Sequence, residues 1–173
     1  LYALVFVLII AGHETTVNLI GNGVLALLEH PEQKEKLISQ PELIHLAVEE
    51  MLRYNGPAEV SNIRWATEDV EIGGKYIQKG DMVFVSLSSA NRDTQQFADP
   101  DTFNITREAN NHLAFGKGVH FCLGAPLARL EGEIAILTLL SRMPGLRFKE
   151  STDLLEWRTG MIIRGVKEIS LVF

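Results

Sequence analysis

Cysteine is almost absent from this sequence, since Cys122 is the only one in 173 residues. A single cysteine excludes a disulfide within the chain, suits a reducing compartment and forms no zinc-ligand pair with the scattered histidines. Basic residues are fewer than acidic ones, and the formal net charge is −6. A negative net charge argues against nucleic acid as a partner. Aromatic residues make up only 8% of the chain, but apolar residues reach 46%, enough for the core of one domain or part of one.

Charge is absent from residues 1–12, an apolar run that begins without a methionine. A membrane span needs roughly 20 apolar residues, whereas about 10 to 14 are typical of a buried core helix. A signal peptide needs a basic flank before the run and a small-residue cleavage site after it, but His13 and Glu14 follow here. We therefore expect a central helix that is buried on all sides, in a chain truncated at its N-terminus.

The cysteine lies in a glycine-rich segment that leads into a helix. Gly116 and Gly118 precede it and permit either a positive φ or a close approach of another body to the main chain. The apolar periodicity of Ala125–Met143 predicts a helix, so Cys122 lies at a helix N-terminus. Unpaired backbone N–H groups and the helix dipole favour a thiolate there. The pattern indicates a thiolate that faces a large, flat ligand lying close to the main chain.

Two other interpretations of Cys122 remain open from the residues alone. A lone cysteine is most often a small buried hydrophobe. A nucleophilic Cys–His pair with His120 is the second interpretation, although the sequence identifies no third group that would orient the histidine. The whole ten-residue pattern around the cysteine, and not the cysteine alone, favours a ligand-binding thiolate over these two interpretations.

That pattern, Phe115-x-x-Gly118-x-His120-x-Cys122-x-Gly124, resembles the haem-binding loop of the cytochrome P450 family. Its aromatic, glycine, basic and cysteine positions are all in register. The resemblance covers essentially the whole chain and corresponds to the C-terminal part of a soluble, bacterial-type member. It implies a mainly α fold with small antiparallel β-sheets, in which the whole chain is one partial haem-binding domain that lacks its N-terminal half.

The resemblance implies a haem-thiolate monooxygenase that inserts one atom of dioxygen into a small apolar organic substrate. The cofactor would be haem b, with the thiolate of Cys122 as the axial ligand of the iron. Related enzymes that use peroxide, or that perform a reduction or isomerisation, stay open, as does a non-catalytic fragment that binds no haem alone. The other residues that the resemblance assigns to haem binding are Arg64, Phe115, Gly116, His120 and Gly124.

The first predicted helix contains a polar motif, Ala11-Gly12-x-Glu14-Thr15-Thr16. Glycine and threonine inside an apolar helix indicate a local opening, because a threonine hydroxyl can bond to the carbonyl one turn back. The motif also resembles the oxygen-activation motif of the family. Glu14 and Thr15 then match the catalytic acid–alcohol pair, which supplies protons to dioxygen.

A second helix contains Glu50 and Arg53, which are three residues apart and share a helix face. Alone, such a pair is a common surface feature worth a few tenths of a kcal/mol. It resembles the Glu-x-x-Arg motif of the family, in which a buried ion pair braces the cysteine loop. Many members place an arginine where this chain has Thr102, so both Arg92 and Arg107 are candidates for the third partner.

Periodicity and turn residues predict the remaining elements. The predicted helices are Leu1 or Tyr2 to about Glu29, Pro31–Ser39, Pro41 to about Tyr54, and Ala125–Met143. The predicted strands are Asn62–Ala66, Val70–Ile72, Lys75–Ile77, Met82–Val85, Leu146–Phe148, Trp157–Arg158 and Ile169–Phe173, with a hairpin turn at Gly73–Gly74. By resemblance, the segments Ala58–Ile63 and Gly160–Ile163 contact the substrate.

Electrons must come from outside the chain, because it contains no nicotinamide or flavin fingerprint. The resemblance implies a ferredoxin-type donor, which Lys117 and Arg129 could meet on the cysteine side. It also implies a monomer in the cytoplasm, with a small-molecule substrate and dioxygen as the other partners. No membrane contact is evident from the sequence, and an anchor upstream of Leu1 stays open.

Overall fold

The computed structural model describes residues 1–149 and 155–173. Its α-helices are α1 (Tyr2–Glu29), α2 (Pro31–Ser39), α3 (Ile44–Asn55), α4 (Leu87–Ala90) and α5 (Ala125–Arg142), with 3₁₀ turns at Pro41–Leu43 and Gly118–His120. Its strands are β1 (Arg64–Trp65), β2 (Val70–Ile72), β3 (Lys75–Ile77), β4 (Met82–Val83), β5 (Arg147–Phe148) and β6 (Leu171–Val172). The predicted α2 is confirmed in full, and the other long helices differ from prediction only at their ends.

The core lies where α1, α3 and α5 pack against one another. A glycine on α5 permits this close approach, because a Cβ on Gly132 would lie 3.4 Å from Leu19 and 3.5 Å from Val48. Burial of apolar side chains here is the main stabilising contribution to the helical part of the fold. The buried side chains of the core include Leu19, Leu27, Val48, Met51 and Ile136.

The first helix is buried only in its second half. Its buried residues begin at Asn18, whereas the side chains of residues 1–13 are exposed. The prediction of a helix buried on all sides is therefore wrong for the first half of α1 in this chain, because the burial that α3 and α5 provide begins only at Asn18. α1 is long and apolar enough to cross a membrane, but the core helix of a soluble protein meets the same criteria of length and composition.

Short antiparallel pairs of strands complete the described part of the fold: β1 with β4, β2 with β3, and β5 with β6. Gly73 and Gly74 turn the β2–β3 hairpin with φ values of 56° and 73°, as the Gly–Gly signal predicted. The predicted strand at Trp157 is wrong, since that residue makes only an isolated bridge to Val166. The mainly α fold with small antiparallel sheets is confirmed.

Candidate functional site

The loop that carries Cys122 is held by its own backbone. The Cys122 amide donates to the carbonyl of Phe115 over 2.9 Å, and the Gly116 amide donates to the carbonyl of Leu113 over 2.8 Å. Gly116 and Gly118 have φ values of 71° and 78°, a region that glycine occupies without strain. These bonds fix the direction of the chain into α5, which begins three residues after the cysteine.

The Cys122 side chain is exposed, and so are the apolar side chains beside it. Val119 is 97% exposed and Leu123 is 90% exposed. Folded proteins rarely leave neighbouring apolar side chains this exposed to water. Gly124 lies next to the sulfur, since a Cβ at that position would be in van der Waals contact with Sγ at 3.9 Å. The interpretation of Cys122 as a buried hydrophobe is therefore wrong, and the surface around the sulfur suits an apolar body.

Two groups that can carry positive charge are also accessible to solvent. Arg64 begins β1 and is exposed along its strand. His120 ends the 3₁₀ turn that precedes the cysteine and is likewise exposed. Both positions suit hydrogen bonds to negatively charged substituents of a bound group.

The polar motif of α1 lies within an unbroken helix. The Thr15 hydroxyl donates to the Ala11 carbonyl over 2.5 Å, which confirms the predicted bond to the preceding turn. The predicted local opening does not break the helix, which runs without interruption from Tyr2 to Glu29. The Asn18 side chain makes a similar bond, from Nδ2 to the Glu14 carbonyl over 2.7 Å. The Glu14 carboxylate is exposed and lies 4.0 Å from Arg158 Nη1.

Glu50 and Arg53 form a completely buried ion pair, with both side chains at 0% exposure. Arg53 Nε donates to Glu50 Oε2 over 2.7 Å and Nη2 donates to Oε1 over 2.8 Å, a bidentate arrangement. The same carboxylate accepts from the Asn104 amide over 2.9 Å and from Asn110 Nδ2 over 3.1 Å. The pair is thus the buried brace that the resemblance implies, not the surface pair of the alternative interpretation.

Arg107 is the third charged partner of this brace. Its Nε lies 3.1 Å from Glu50 Oε2. Arg92 instead pairs with the exposed carboxylate of Asp101 over 2.7 Å and donates to the Tyr54 carbonyl over 2.8 Å. The choice that the sequence left open is therefore settled in favour of Arg107.

A continuous path of hydrogen bonds links the brace to the cysteine loop through Asn91. Arg53 Nη1 donates to the Asn91 carbonyl over 3.0 Å. The Asn91 Oδ1 atom accepts from the Leu113 amide over 2.7 Å, and the Leu113 carbonyl in turn accepts from Gly116. Asn91 is only 3% exposed, and the sequence analysis did not identify its structural role.

A second carboxylate network, which sequence reasoning missed, lies beside the loop. Glu49 Oε1 accepts from Arg129 Nε over 2.6 Å, and Oε2 accepts from Arg129 Nη2 over 2.9 Å. His112 Nε2 lies 3.2 Å from Glu49 Oε2. Burial alone would raise the pKa of Glu49, but the hydrogen bonds from His112 and Arg129, together with the charge of Arg129, outweigh it and lower the pKa to about 2.

The two segments predicted to contact the substrate lie side by side. Ala58 and Ile163 form an antiparallel bridge, and the Glu59 amide donates to the Ile162 carbonyl over 2.9 Å. Met161 and Ile162 are 58% and 45% exposed, so the turn presents apolar side chains to its surroundings. This arrangement forms one apolar edge rather than two separate loops.

A buried amide ties this edge to α1 and α3. Asn22 Nδ2 donates to the carbonyls of Asn55 over 3.0 Å and Arg164 over 3.1 Å. Arg164 Nε also donates to Asn55 Oδ1 over 3.1 Å. The chain around residues 160–165 is therefore anchored to the buried half of the helix that carries Glu14 and Thr15.

The predicted site residues fall into three groups in the structure. Phe115, Gly116, His120, Cys122 and Gly124 share one short loop, held by the backbone bonds described above. The acid–alcohol pair lies on the exposed half of α1, and Arg64 lies on β1.

Comparison with known proteins defines the family. The model of the cytochrome P450 family matches residues 1–144. The polyketide biosynthesis cytochrome P450 PksS of Bacillus subtilis (strain 168) is 50% identical over 169 residues, which are 98% of this chain and 42% of the relative. The vitamin D(3) 25-hydroxylase of Pseudonocardia autotrophica is 48% identical over 169 residues, again 98% of this chain and 42% of the relative. The chain thus spans about two fifths of these curated relatives.

Solved structures give the same result. PksS from Bacillus subtilis 168 matches with a TM-score of 0.95 at 48% identity, covering 98% of this chain and 44% of PksS. The myxobacterial cytochrome P450 CYP267B1 in complex with myristic acid matches with a TM-score of 0.93 at 50% identity, covering 98% of this chain and 42% of that protein. The chain belongs to the cytochrome P450 family.

Membership of this family implies a haem whose iron is bound by a cysteine thiolate. The residues of this chain fit that group. The sulfur of Cys122 is exposed, the neighbouring positions Gly116, Gly118 and Gly124 carry no side chain, and the surrounding exposed side chains are apolar. An apolar macrocycle would cover the surface that this chain leaves open to water.

Proposed function

We propose that the protein containing this chain is a haem-thiolate monooxygenase, and that residues 1–173 are part of its haem-binding domain. The observation that carries this proposal is the exposed sulfur of Cys122 on a loop fixed by the Phe115 carbonyl, in a chain of the cytochrome P450 family. The hydroxylase among the relatives supports an oxygen-inserting reaction.

Cys122 would hold the iron of haem b through its thiolate sulfur. When bound, the haem supplies oxygen activation at an iron whose thiolate ligand donates electron density and favours cleavage of the O–O bond. Phe115 would cover the sulfur side, while Gly116 and Gly124 would let backbone amides approach the sulfur and tune its electron density. Arg64 and His120 would donate to the two propionates, whose charge needs such partners when it is partly buried.

Glu14 and Thr15 would manage protons in the reaction. The Thr15 hydroxyl, which is held against the Ala11 carbonyl, can also accept a hydrogen bond from a water molecule and keep it oriented. The exposed Glu14 carboxylate can exchange protons with solvent and pass them to that water. The exposed half of α1 therefore carries the groups that a reaction consuming protons and dioxygen needs.

The substrate would be a small apolar organic molecule, bound against the edge formed by Ala58 and residues 160–163. The myristic acid bound to one relative and the polyketide and vitamin D names of others support an apolar substrate. We further propose that the whole protein is a cytoplasmic monomer.

Electrons would come from a ferredoxin-type protein that docks on the cysteine side. Of the two basic residues predicted for this docking, Arg129 is engaged by Glu49 through two hydrogen bonds. Lys117 lies inside the cysteine loop and is exposed. The docking proposal therefore rests mainly on Lys117, whose replacement by glutamate should slow electron transfer at low ionic strength.

The reaction can be tested with the haem-loaded, full-length protein, a ferredoxin and its reductase. Myristic acid and a macrolide serve as probe substrates under isotopically labelled dioxygen. Incorporation of one labelled oxygen atom into the product supports a monooxygenase. Product formation from peroxide alone, with no incorporation from dioxygen, would support the peroxide-using alternative instead.

A further inference from the structure

The Phe115 ring contacts two side chains that share one carboxylate. Arg129 lies over the ring with its guanidinium carbon 4.7 Å from the ring centroid. The ring of His112 lies on Phe115 at a centroid distance of 6.0 Å. Both Arg129 and His112 are bonded to Glu49, and we call these three residues and the ring the Phe115 clamp.

The hydrogen bonds of His112 define its tautomer. The Ala114 amide can only donate, and it lies 3.1 Å from His112 Nδ1, so this nitrogen accepts. The ring proton is then on Nε2, which donates to Glu49 Oε2. The His112 side chain is only 3% exposed, and its bonds to the Glu49 carboxylate and the Ala114 amide fix the position and orientation of the ring.

The clamp acts on the residue that holds the cysteine backbone. The carbonyl of Phe115 accepts the hydrogen bond of the Cys122 amide, so a displaced Phe115 displaces the amide next to the sulfur. Ring contacts with a cation and with an imidazole restrict how far Phe115 can move. No part of this path runs through Glu50, whose side chain points about 100° away around α3 because the two residues are consecutive.

We propose that Glu49 is a positioning residue for the Cys122 thiolate, acting through Arg129, His112 and Phe115. This inference rests on the proposed function, because the position of the thiolate matters only if the thiolate binds a haem iron. The bidentate pair between Glu49 and Arg129 matters for its shape as well as its charge, since a flat guanidinium both bonds the carboxylate and covers the ring.

The test uses the haem-loaded, full-length protein and three variants of the clamp. Glu49→Gln removes the charge at constant size, Arg129→Gln removes the cation, and Arg129→Lys keeps a charge but loses the flat, bidentate contact. The matched control is Glu133→Gln, because the Glu133 charge also acts on Arg129, whereas its carboxylate bonds to exposed His45 over 2.7 Å and to no residue of the clamp.

Two readouts separate positioning from general stability. One is the rate at which the ferrous carbon monoxide complex loses its thiolate-type Soret band, and the other is the reduction potential of the haem iron. We expect each clamp variant to lose the band roughly three- to tenfold faster and to show a shifted potential, while the thermal midpoint falls only modestly because solvent screens this partly exposed pair. The Glu133 control should match the wild type.

A double variant checks that the residues act as one unit. If Glu49 and Arg129 work through the same contact, Glu49→Gln combined with Arg129→Gln should add little to the effect of either change. Equal rates and potentials in the wild type, all clamp variants and the control would overturn the inference and leave the proposed function intact. A wild-type protein without any thiolate-type band would instead overturn the proposed function, and the inference with it.

Discussion

At the scale of single residues, the Glu50 carboxylate is the centre of a buried hydrogen-bond network. It accepts from Arg53, Arg107, Asn104 and Asn110 at zero exposure, so its charge is fully compensated in the folded chain. A buried charge without such partners is far costlier than the same charge in water. The consequence is that either member of the Glu50–Arg53 pair is hard to replace.

Glu50→Ala or Arg53→Ala should each lower the free energy of unfolding by about 3–5 kcal/mol, because the remaining charge stays buried and uncompensated. Neither variant should retain haem stably, which the ratio of haem to protein absorbance measures. Arg92→Ala is the matched control, since its partner Asp101 is 83% exposed, and it should cost about 1 kcal/mol. Normal haem content in Glu50→Ala would contradict the role of the brace.

Thr15→Ala should keep haem but uncouple electron use from product formation, because the hydroxyl that orients water is lost. The measurement is the amount of product formed per reducing equivalent consumed. Thr15→Ser is the control, since it retains the hydroxyl that bonds to Ala11, and it should stay largely coupled. Full coupling in the alanine variant would remove Thr15 from the proton path.

Glu49 should make the stability of the fold depend on pH in acid. Its folded pKa is lowered from 4.5 to about 2 by Arg129 and His112, so its contribution is complete above about pH 4.5 and is lost as the pH falls toward about 2. Urea unfolding between about pH 5 and pH 3 should show a steeper loss of stability in the wild type than in Glu49→Gln. Parallel curves would show that the pair contributes nothing to folding.

At the scale of elements, the chain around Gly165 packs directly on α1. A Cβ on Gly165 would lie 1.8 Å from Asn18 Oδ1, whereas a Cβ on Gly160 would meet its nearest atom, the Ile163 carbonyl oxygen, at 3.7 Å. Asn18 is 4% exposed and its amide is already bonded to the Glu14 carbonyl, so it has little room to move. This contact sets the distance between the apolar edge at residues 160–163 and the helix that carries Thr15.

Gly165→Ala should therefore destabilise the fold by about 1–3 kcal/mol, the usual cost of overpacking. Gly160→Ala in the same turn is the control and should be close to neutral. Denaturant midpoints at equal slope measure the difference. Equal midpoints for the two variants would mean that the segment around Gly165 shifts freely against α1.

The elements that the sequence predicted well are those with a local signal. Pro31 and the polar run after it define α2, and two consecutive glycines define the β2–β3 hairpin, because turn and helix chemistry act over a few residues. The choice between Arg92 and Arg107 had no local signal, since both are far from Glu50 in sequence and only the folded path of the loop decides it. The Glu49 network was missed for the same reason, as its partners lie at positions 112 and 129.

At the scale of the whole molecule, the chain combines a closed core with exposed apolar surfaces. The inner surface of α1, α3 and α5 is a closed core, whereas the first half of α1 and the cysteine loop expose apolar side chains such as Phe6, Ile9 and Leu123. The relatives are more than twice as long as this chain. In the complete protein we expect the haem and the rest of the fold to cover both apolar surfaces.

The central claim is that the Cys122 sulfur binds the haem iron as a thiolate. The most direct measurement is the absorbance spectrum of the reduced, full-length protein with carbon monoxide, compared with that of Cys122→Ser. The wild type should show a strongly red-shifted Soret band that the serine variant lacks, because an alcohol does not donate electron density to iron as a thiolate does. The same red-shifted band in both proteins would contradict the account.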